Sequence, residues 1–530
     1  MRRAPWLLLW LLQTACPFSI GADPMQDPPF DAGFFDAGFY DGGLPTDPPD
    51  ARPLDGGPRA DAGERDAGPG DGGPRDGGPP ANPCNFVRGD DLAQYEAVLA
   101  CLADPDASEG DKRGFVQDFV AAVETQGGFP IATDDGFIFV YVRTAALDAE
   151  DDANTAEDFT ASRRRTPISV TGDFDMWTPG THVLTDHDYD FFSAEVPLDP
   201  VLFERARYKF VANDDNGADV WFSDPLSRRF DFDENGRISI VRGGPAQGHL
   251  EWIRDVEATM LGNVRPIYLY VPPGYETTAG ERYAVLYMHD GNNLFDVQQP
   301  RAAPVSWEVD EVFEAEIAAN AARAGIIVGI PNNANRIGEY THIADDFGDG
   351  LLGGDGDLYA HFVAEELKPL VDTRYRTFTD RANTGVFGSS LGGLVSFHIG
   401  LQYPGVFRFV GGMSSTFNWG RFGAMGPNMV EVYEADTNLG TRNQIFYLDS
   451  GGGAGTGCAS GSGTDNYCET LEMRAALVAA GVATFPDDPD AVPLTPADLD
   501  VFHYWEPDAP HAEASWNARL HRPLRMFFRR

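Results

Sequence analysis

From about residue 250 short, β-branched apolar runs alternate with longer stretches of helical spacing. The runs at 267–271, 284–288, 326–330, 385–387, 409–412, 445–448 and 501–504 read as strands. The stretches at 307–322, 356–371, 391–403, 468–480 and 512–528 read as helices. Alternation with helices predicts an α/β fold, a mostly parallel sheet with helices on both sides.

Within that pattern Gly388-Ser389-Ser390-Leu391-Gly392-Gly393 fits G-x-S-x-G, between the run Thr384-Gly385-Val386-Phe387 and a helical stretch. Strand, tight turn and helix are the setting of a nucleophile elbow, with Ser390 as nucleophile. A Cβ at Gly388 or Gly392 is expected to clash in so tight a turn. The Leu391 N–H would face an oxyanion. The second donor is expected from the loop after the strand ending at Met288, where Gly291 allows a sharp turn and the Asn292 N–H is the candidate. His289 and Asp290 are adjacent, and side chains of neighbouring residues diverge on a strand, so no metal site is expected.

A serine hydroxyl needs a base to take its proton and return it to the leaving group. His511 lies late in the chain, after the last strand and at the start of the terminal helix. The acid that orients it should follow the strand ending at Leu448. Asp465 and Asp449 both qualify, with Glu469 behind them. Asp465 sits inside a segment bracketed by Cys458 and Cys468.

The charge of -43, from 82 acidic and 39 basic residues, argues against nucleic acid as a partner. Residues 1–16 read as a signal peptide: a charged start, then an apolar core too short to span a bilayer. Gln13-Thr14-Ala15-Cys16 resembles a bacterial lipobox, in which Cys16 would be lipidated. A lipid anchor there is the one membrane contact expected. Residues 17–83 are a disordered linker of Asp, Gly and Pro. Cys84, Cys101, Cys458 and Cys468 form two local pairs, Cys84–Cys101 and Cys458–Cys468, as expected of an exported protein. The destination is the outer membrane as a lipoprotein, or the periplasm or medium.

Residues 84–130 read as a small helical segment. Residues 131–245 switch to strand periodicity with sandwich-like spacing. Asn235-Gly236 between apolar runs predicts a hairpin. Gly172-Asp173-Phe174-Asp175-Met176-Trp177, Tyr208-Lys209-Phe210-Val211 and Trp221-Phe222-Ser223-Asp224-Pro225 resemble early-set immunoglobulin-like domains, some of which bind glucan through exposed aromatics. Trp177 and Trp221 would then contact carbohydrate; otherwise they pack inside.

Residues 250–530 resemble the α/β-hydrolase esterases that include esterase D, enterochelin esterase-like enzymes, and feruloyl and acetyl-xylan esterases. The matching pieces run from Leu286-Tyr287-Met288-His289-Asp290-Gly291-Asn292-Asn293-Leu294-Phe295-Asp296 through Arg336-Ile337-Gly338-Glu339-Tyr340-Thr341, Glu366-Leu367-Lys368-Pro369-Leu370 and Tyr375-Arg376-Thr377 to the elbow, His511, Glu513 and Trp516. The resemblance implies Ser390 as nucleophile and His511 as base, with Arg336 and Glu339 near the site. It implies an N-terminal domain over the active-site face. Together these features describe an exported bacterial serine esterase without metal or organic cofactor, acting on an acylated polysaccharide or a siderophore ester. An acyltransferase and a non-catalytic carbohydrate-binding protein are the alternatives.

Overall fold

A computed structural model of the chain describes residues 84, 89–143, 167–199, 201–213, 217–233, 236–295, 306–346, 350–423, 426–460, 463–482 and 501–529. The leader with Cys16 and the tract at 17–83 lie outside the described residues. Among the described residues no helix is long and apolar enough to cross a membrane. Disulfides join Cys84 to Cys101 and Cys458 to Cys468.

The first described elements are two helices, Asp91–Ala103 and Glu109–Glu124. Asp90 and Ser108 cap them by accepting the N–H of Ala93 and Asp111. Strands β1 (Ile131–Ala132), β2 (Phe137–Val142), β3 (Ser169–Gly172), β4 (His182–Val183), β5 (Thr185–Asp186), β6 (Phe191–Val196), β7 (Arg207–Asn213), β8 (Asp219–Phe222), β9 (Arg229–Asp233) and β10 (Gly236–Ile240) follow. The order β1-β2-β6-β5 makes one sheet, and β3, β4 and β7–β10 belong to another. β2 is buried along its whole length because it serves two cores. Phe137, Phe139 and Tyr141 face Val170, Tyr208 and Phe210 of the second sheet. Ile138, Val140 and Val142 pack with Phe115 and Phe119 of the helical pair. Strand alternation here separates two apolar partners instead of core from water. β9 and β10 pair as a hairpin with Asp233 opposite Gly236.

The rest of the chain supplies β11 (His249–Ala258), β12 (Asn263–Val271), β13 (Ala284–His289), β14 (Gly325–Ile330), β15 (Ala344–Asp346), β16 (Leu351–Gly353), β17 (Thr384–Ser389), β18 (Phe409–Met413), β19 (Ile445–Ser450) and β20 (His503–Trp505). The order β20-β19-β18-β17-β13-β14 is parallel throughout, and β12 and β11 add antiparallel to it. One core lies on each face of this sheet. β13, β14, β17 and β18 are buried along their whole length, which is why their sequences are mostly apolar, whereas the edge strand β20 is partly exposed.

One feature was not legible as a strand pattern. β11 pairs with β12 on one side and with β9 on the other, so the second sandwich sheet continues into the large sheet. Glu251 sits in β11 with no solvent exposure, beside Arg228, His249 and the Tyr375 hydroxyl. Burial pushes its carboxyl up, and Arg228, His249 and Arg229 more than offset that, holding it well below the ordinary range.

Candidate active site

β17 lies between β13 and β18, and the chain leaves its C-terminal end through Ser390. Ser390 has φ 53° and ψ -123°, a conformation costly for any residue with a Cβ. The surrounding glycines make the turn possible. A Cβ on Gly388 would stand 2.7 Å from the backbone carbon of Gly392, and one on Gly393 2.1 Å from Ser415 Oγ. A Cβ on Gly392 would press at 3.2 Å on both the His289 Cβ and Asp290 Oδ2. Leu391 opens the helix Leu391–Gln402, where first-turn N–H groups have no intrahelical acceptor.

The close approach of Gly392 brings the loop after β13 against the elbow. The sharp turn in that loop falls at Asp290, with φ 58°, and not at Gly291 as the sequence suggested. Gly291 serves close packing instead: its Cβ would lie 2.6 Å from the carbonyl carbon of Gly329. Asn292 sits in the 3-10 turn Gly291–Asn293. Its side chain bonds Asn332, whose amide donates to Asp290 Oδ1 at 2.6 Å. Arg336 grips both oxygens of Asp290, at 2.6 and 2.8 Å. Burial would raise the Asp290 carboxyl, but Arg336 and Asn332 carry it below its ordinary value. His289 is enclosed beside Tyr359, and burial takes its imidazole down to about 3. Glu339 pairs with Arg265 at 2.6 Å and not with Arg336, so these residues belong to separate ion pairs.

His511 follows β20 and precedes the helix Glu513–Phe527. Its Nδ1 lies 2.7 Å from Asp465 Oδ1; the histidine side chain is 37% exposed and the aspartate 2%. The glycine-rich loop makes this meeting possible. The Gly452 N–H donates to the Ala509 carbonyl and the Thr464 N–H to that of Gly453, which laces the two loops together. A Cβ on Gly451 would strike the Ala509 carbonyl at 2.2 Å. Asp465 has φ 50° and precedes the helix Tyr467–Ala479, whose second residue, Cys468, is disulfide-bonded. Ser390 Oγ makes no hydrogen bond to His511; it lies 3.4 Å from Thr416 Oγ1.

Asp449, at the end of β19, does not meet His511. It is fully buried between Arg519, at 3.1 Å, and the Tyr447 hydroxyl, at 2.8 Å. Glu469 is also turned away: it accepts the Asn418 N–H, and burial pushes its carboxyl up to about 8. Three groups around Asp465 carried no sequence signal of their own. Ser414 Oγ donates to Asp465 Oδ2 at 2.8 Å, Asn466 Nδ2 donates to the Ser414 carbonyl at 2.7 Å, and Thr416 stands beside Ser390. For Ser414 and Thr416 the one pointer is the hydroxyl run Ser414-Ser415-Thr416 directly after β18, the neighbour of β17; Asn466 has none beyond following Asp465.

The N-terminal sheets join far from this site. Phe230, Leu250, Tyr270, Ile327, Leu286 and Gly385 form one row across the sheet, at the start of β17. Ser390 lies five positions further along and five strand spacings away, roughly 24 Å across the sheet. The bonds at the joint run from Arg205, Arg228, Arg229 and Glu124 to Gly248, Glu251, Glu276 and Arg254. Trp177 and Trp221 are half-buried, with ring centres 6.2 Å apart. Among the described residues, one group has the spacing to hold a cation, His249, Glu251 and Glu276, and it belongs to the joint. A cavity of about 420 Å³ lined by Val120, Arg228, Trp252, Arg254 and Tyr375 also lies at the joint.

Residues 258–527 match the family model described as Putative esterase. The uncharacterized protein YbbA of Bacillus subtilis (strain 168) is 29% identical over 158 residues, which is 29% of this chain and 57% of that protein. YjcH of the same organism is 26% identical over 148 residues, 28% of this chain and 54% of that protein. The chain thus spans about half the length of these curated relatives. Similar solved structures include a ferulic acid esterase, with 19% identity, 53% of this chain and 99% of that chain covered, and a TM-score of 0.38. The enterobactin esterase FES from Shigella flexneri has 16% identity, covers 75% of this chain and 94% of its own, and scores 0.36. An IroE-like serine hydrolase from Shewanella oneidensis has 17% identity, covers 53% and 80%, and scores 0.37.

Proposed function

The chain belongs to the Putative esterase family, and on that premise we propose that it is an exported serine carboxylic-ester hydrolase with Ser390, His511 and Asp465 as its triad. The observation that carries this reading is the 2.7 Å contact of His511 with Asp465, in a chain whose elbow serine opens a helix. Asp465 takes the Nδ1 proton in hydrogen bond, which leaves Nε2 free to act as base on the Ser390 hydroxyl. The serine attacks the ester carbonyl, the alcohol leaves with the proton from His511, and a water activated by His511 releases the acid. The N–H groups of Leu391 and Asn292 receive the negative charge on the carbonyl oxygen. Substrate brings the Ser390 hydroxyl onto His511, since such contacts are commonly loose until the site is filled.

Two disulfides and the signal-like leader support export. An exported enzyme of this kind is read as acting on an acylated polysaccharide or a siderophore ester. The purified protein is expected to hydrolyse p-nitrophenyl acetate, and Ser390→Ala is expected to abolish it. Undiminished turnover in that variant would sink the triad. A panel of acetyl and feruloyl xylans, enterobactin and short acyl esters then ranks the substrates by kcat/KM.

A further inference from the structure

The oxygen of Ser414 stands at the centre of the buried side of the site. It is fully buried, and its backbone is held at both ends: its N–H donates to the Asp449 carbonyl at 2.8 Å and its carbonyl accepts from Asn466. Its φ of 45° is in the left-handed region, which is costly for a residue with a Cβ. A serine hydroxyl offers one proton and two acceptor positions. Trp516 Nε1, at 3.2 Å, and Arg519 Nη2, at 3.3 Å, take up the acceptor side, and neither can accept in return. The single proton is left for Asp465 Oδ2, at 2.8 Å. Asp465 is thus fixed by His511 on one oxygen and by Ser414 and the Gly451 N–H on the other.

We propose that Ser414 is a positioning residue of the esterase, whose hydroxyl locks the orientation of Asp465 and is itself locked by Trp516 and Arg519. The proposal rests on the triad reading given above. Asp449 enters at one further remove. It balances the charge of Arg519, so that Arg519 can stand in the interior as a donor to Ser414 and not as an isolated cation. A carboxylate free to turn about its Cα–Cβ bond would present its oxygen to His511 only part of the time. A rigid supporting layer around a catalytic group removes that freedom.

The test is Ser414→Gly, which accepts the left-handed backbone without strain, with Ser414→Ala as a second variant that keeps the Cβ. Each is made alone and together with Asp465→Asn, and the full chain is assayed on p-nitrophenyl acetate. The expected result is a fall in kcat of about tenfold with KM unchanged, the size of one lost hydrogen bond to a charged group. In the Asp465→Asn background the same change should cost less than about twofold, because its effect runs through that carboxylate. Wild-type kcat in Ser414→Gly overturns the proposal. So do losses that multiply with that of Asp465→Asn, or a rise in KM in place of the fall in kcat. Turnover that survives Ser390→Ala removes the triad and this proposal together. Turnover that depends on Ser390 but not on Ser414 removes the proposal alone.

Discussion

Asp449 and Asp465 are separated by little more than the Ser414 hydroxyl and Arg519, yet the fold treats them in opposite ways. Asp449 ends a strand and is sealed against a buried arginine and a tyrosine. Burial raises its carboxyl, and Arg519 and Tyr447 oppose that rise. Asp465 sits on a loop in a left-handed conformation, fed by hydroxyl and backbone donors, and turned toward a histidine that reaches solvent. One carboxylate balances a charge. The other has no lysine or arginine within ion-pair distance among the described residues and meets an imidazole. Position after the same strand could not separate them; their partners do.

The comparison breaks most sharply under substitution. Asp465→Asn should lower kcat by about 10³- to 10⁴-fold, the usual size for losing the acid of such a triad, while urea melts stay close to wild type. Asp449→Asn should do the reverse. Removing the buried one of the two carboxylates paired with Arg519, which leaves only half-exposed Glu506 at 3.8 Å, should cost about 3 kcal/mol of stability in the same melts, with a much smaller loss of kcat. If Asp449→Asn loses activity as Asp465→Asn does while its melts stay close to wild type, the division of roles is wrong.

The smallest effect sharpens the picture with a third carboxylate. Glu469 lies on the same helix that follows Asp465, and burial lifts it from 4.5 to about 8. A folded-state value above the unfolded one means that the folded chain keeps a proton the unfolded chain has lost. Stability from this group therefore falls as pH rises from about 4.5 to about 8, and is flat beyond. Glu469→Gln removes the penalty. It should raise Tm by a few degrees at pH 8.5 and leave it unchanged at pH 4. A gain of equal size at both pH values would show that the carboxyl is not held neutral.

Much of the fold was legible because burial on both faces leaves little choice. Ile326 to Ile330 can carry no polar residue, so the strand announces itself. The glycines of the elbow were legible for the same kind of reason, since Gly388 and Gly392 touch backbone to backbone. β11 stayed hidden because it buries charge. Glu251 reads as a surface residue until Arg228 and Arg229, more than twenty positions earlier, are seen beside it. Glycine is the usual occupant of left-handed backbone and so points to Gly291 for the turn after β13, whereas Asp290 takes that conformation with Arg336 gripping its carboxylate. Ser414 was invisible for a different reason. One hydroxyl among Ser414, Ser415 and Thr416 gains its importance from Trp516, Arg519 and Asp465, which only folding brings to it.

The run of hydrogen bonds through β11 has a practical side. A recombinant protein begun near residue 250 would not be cut at a tether between two beads; it would be cut through a ladder. The trimmed product would present the start of β11 as a raw edge, with backbone groups that β9 had matched. Glu251 would face it without Arg228 or Arg229. Unpaired edges of this kind recruit other chains, so a shortened catalytic piece is expected to aggregate.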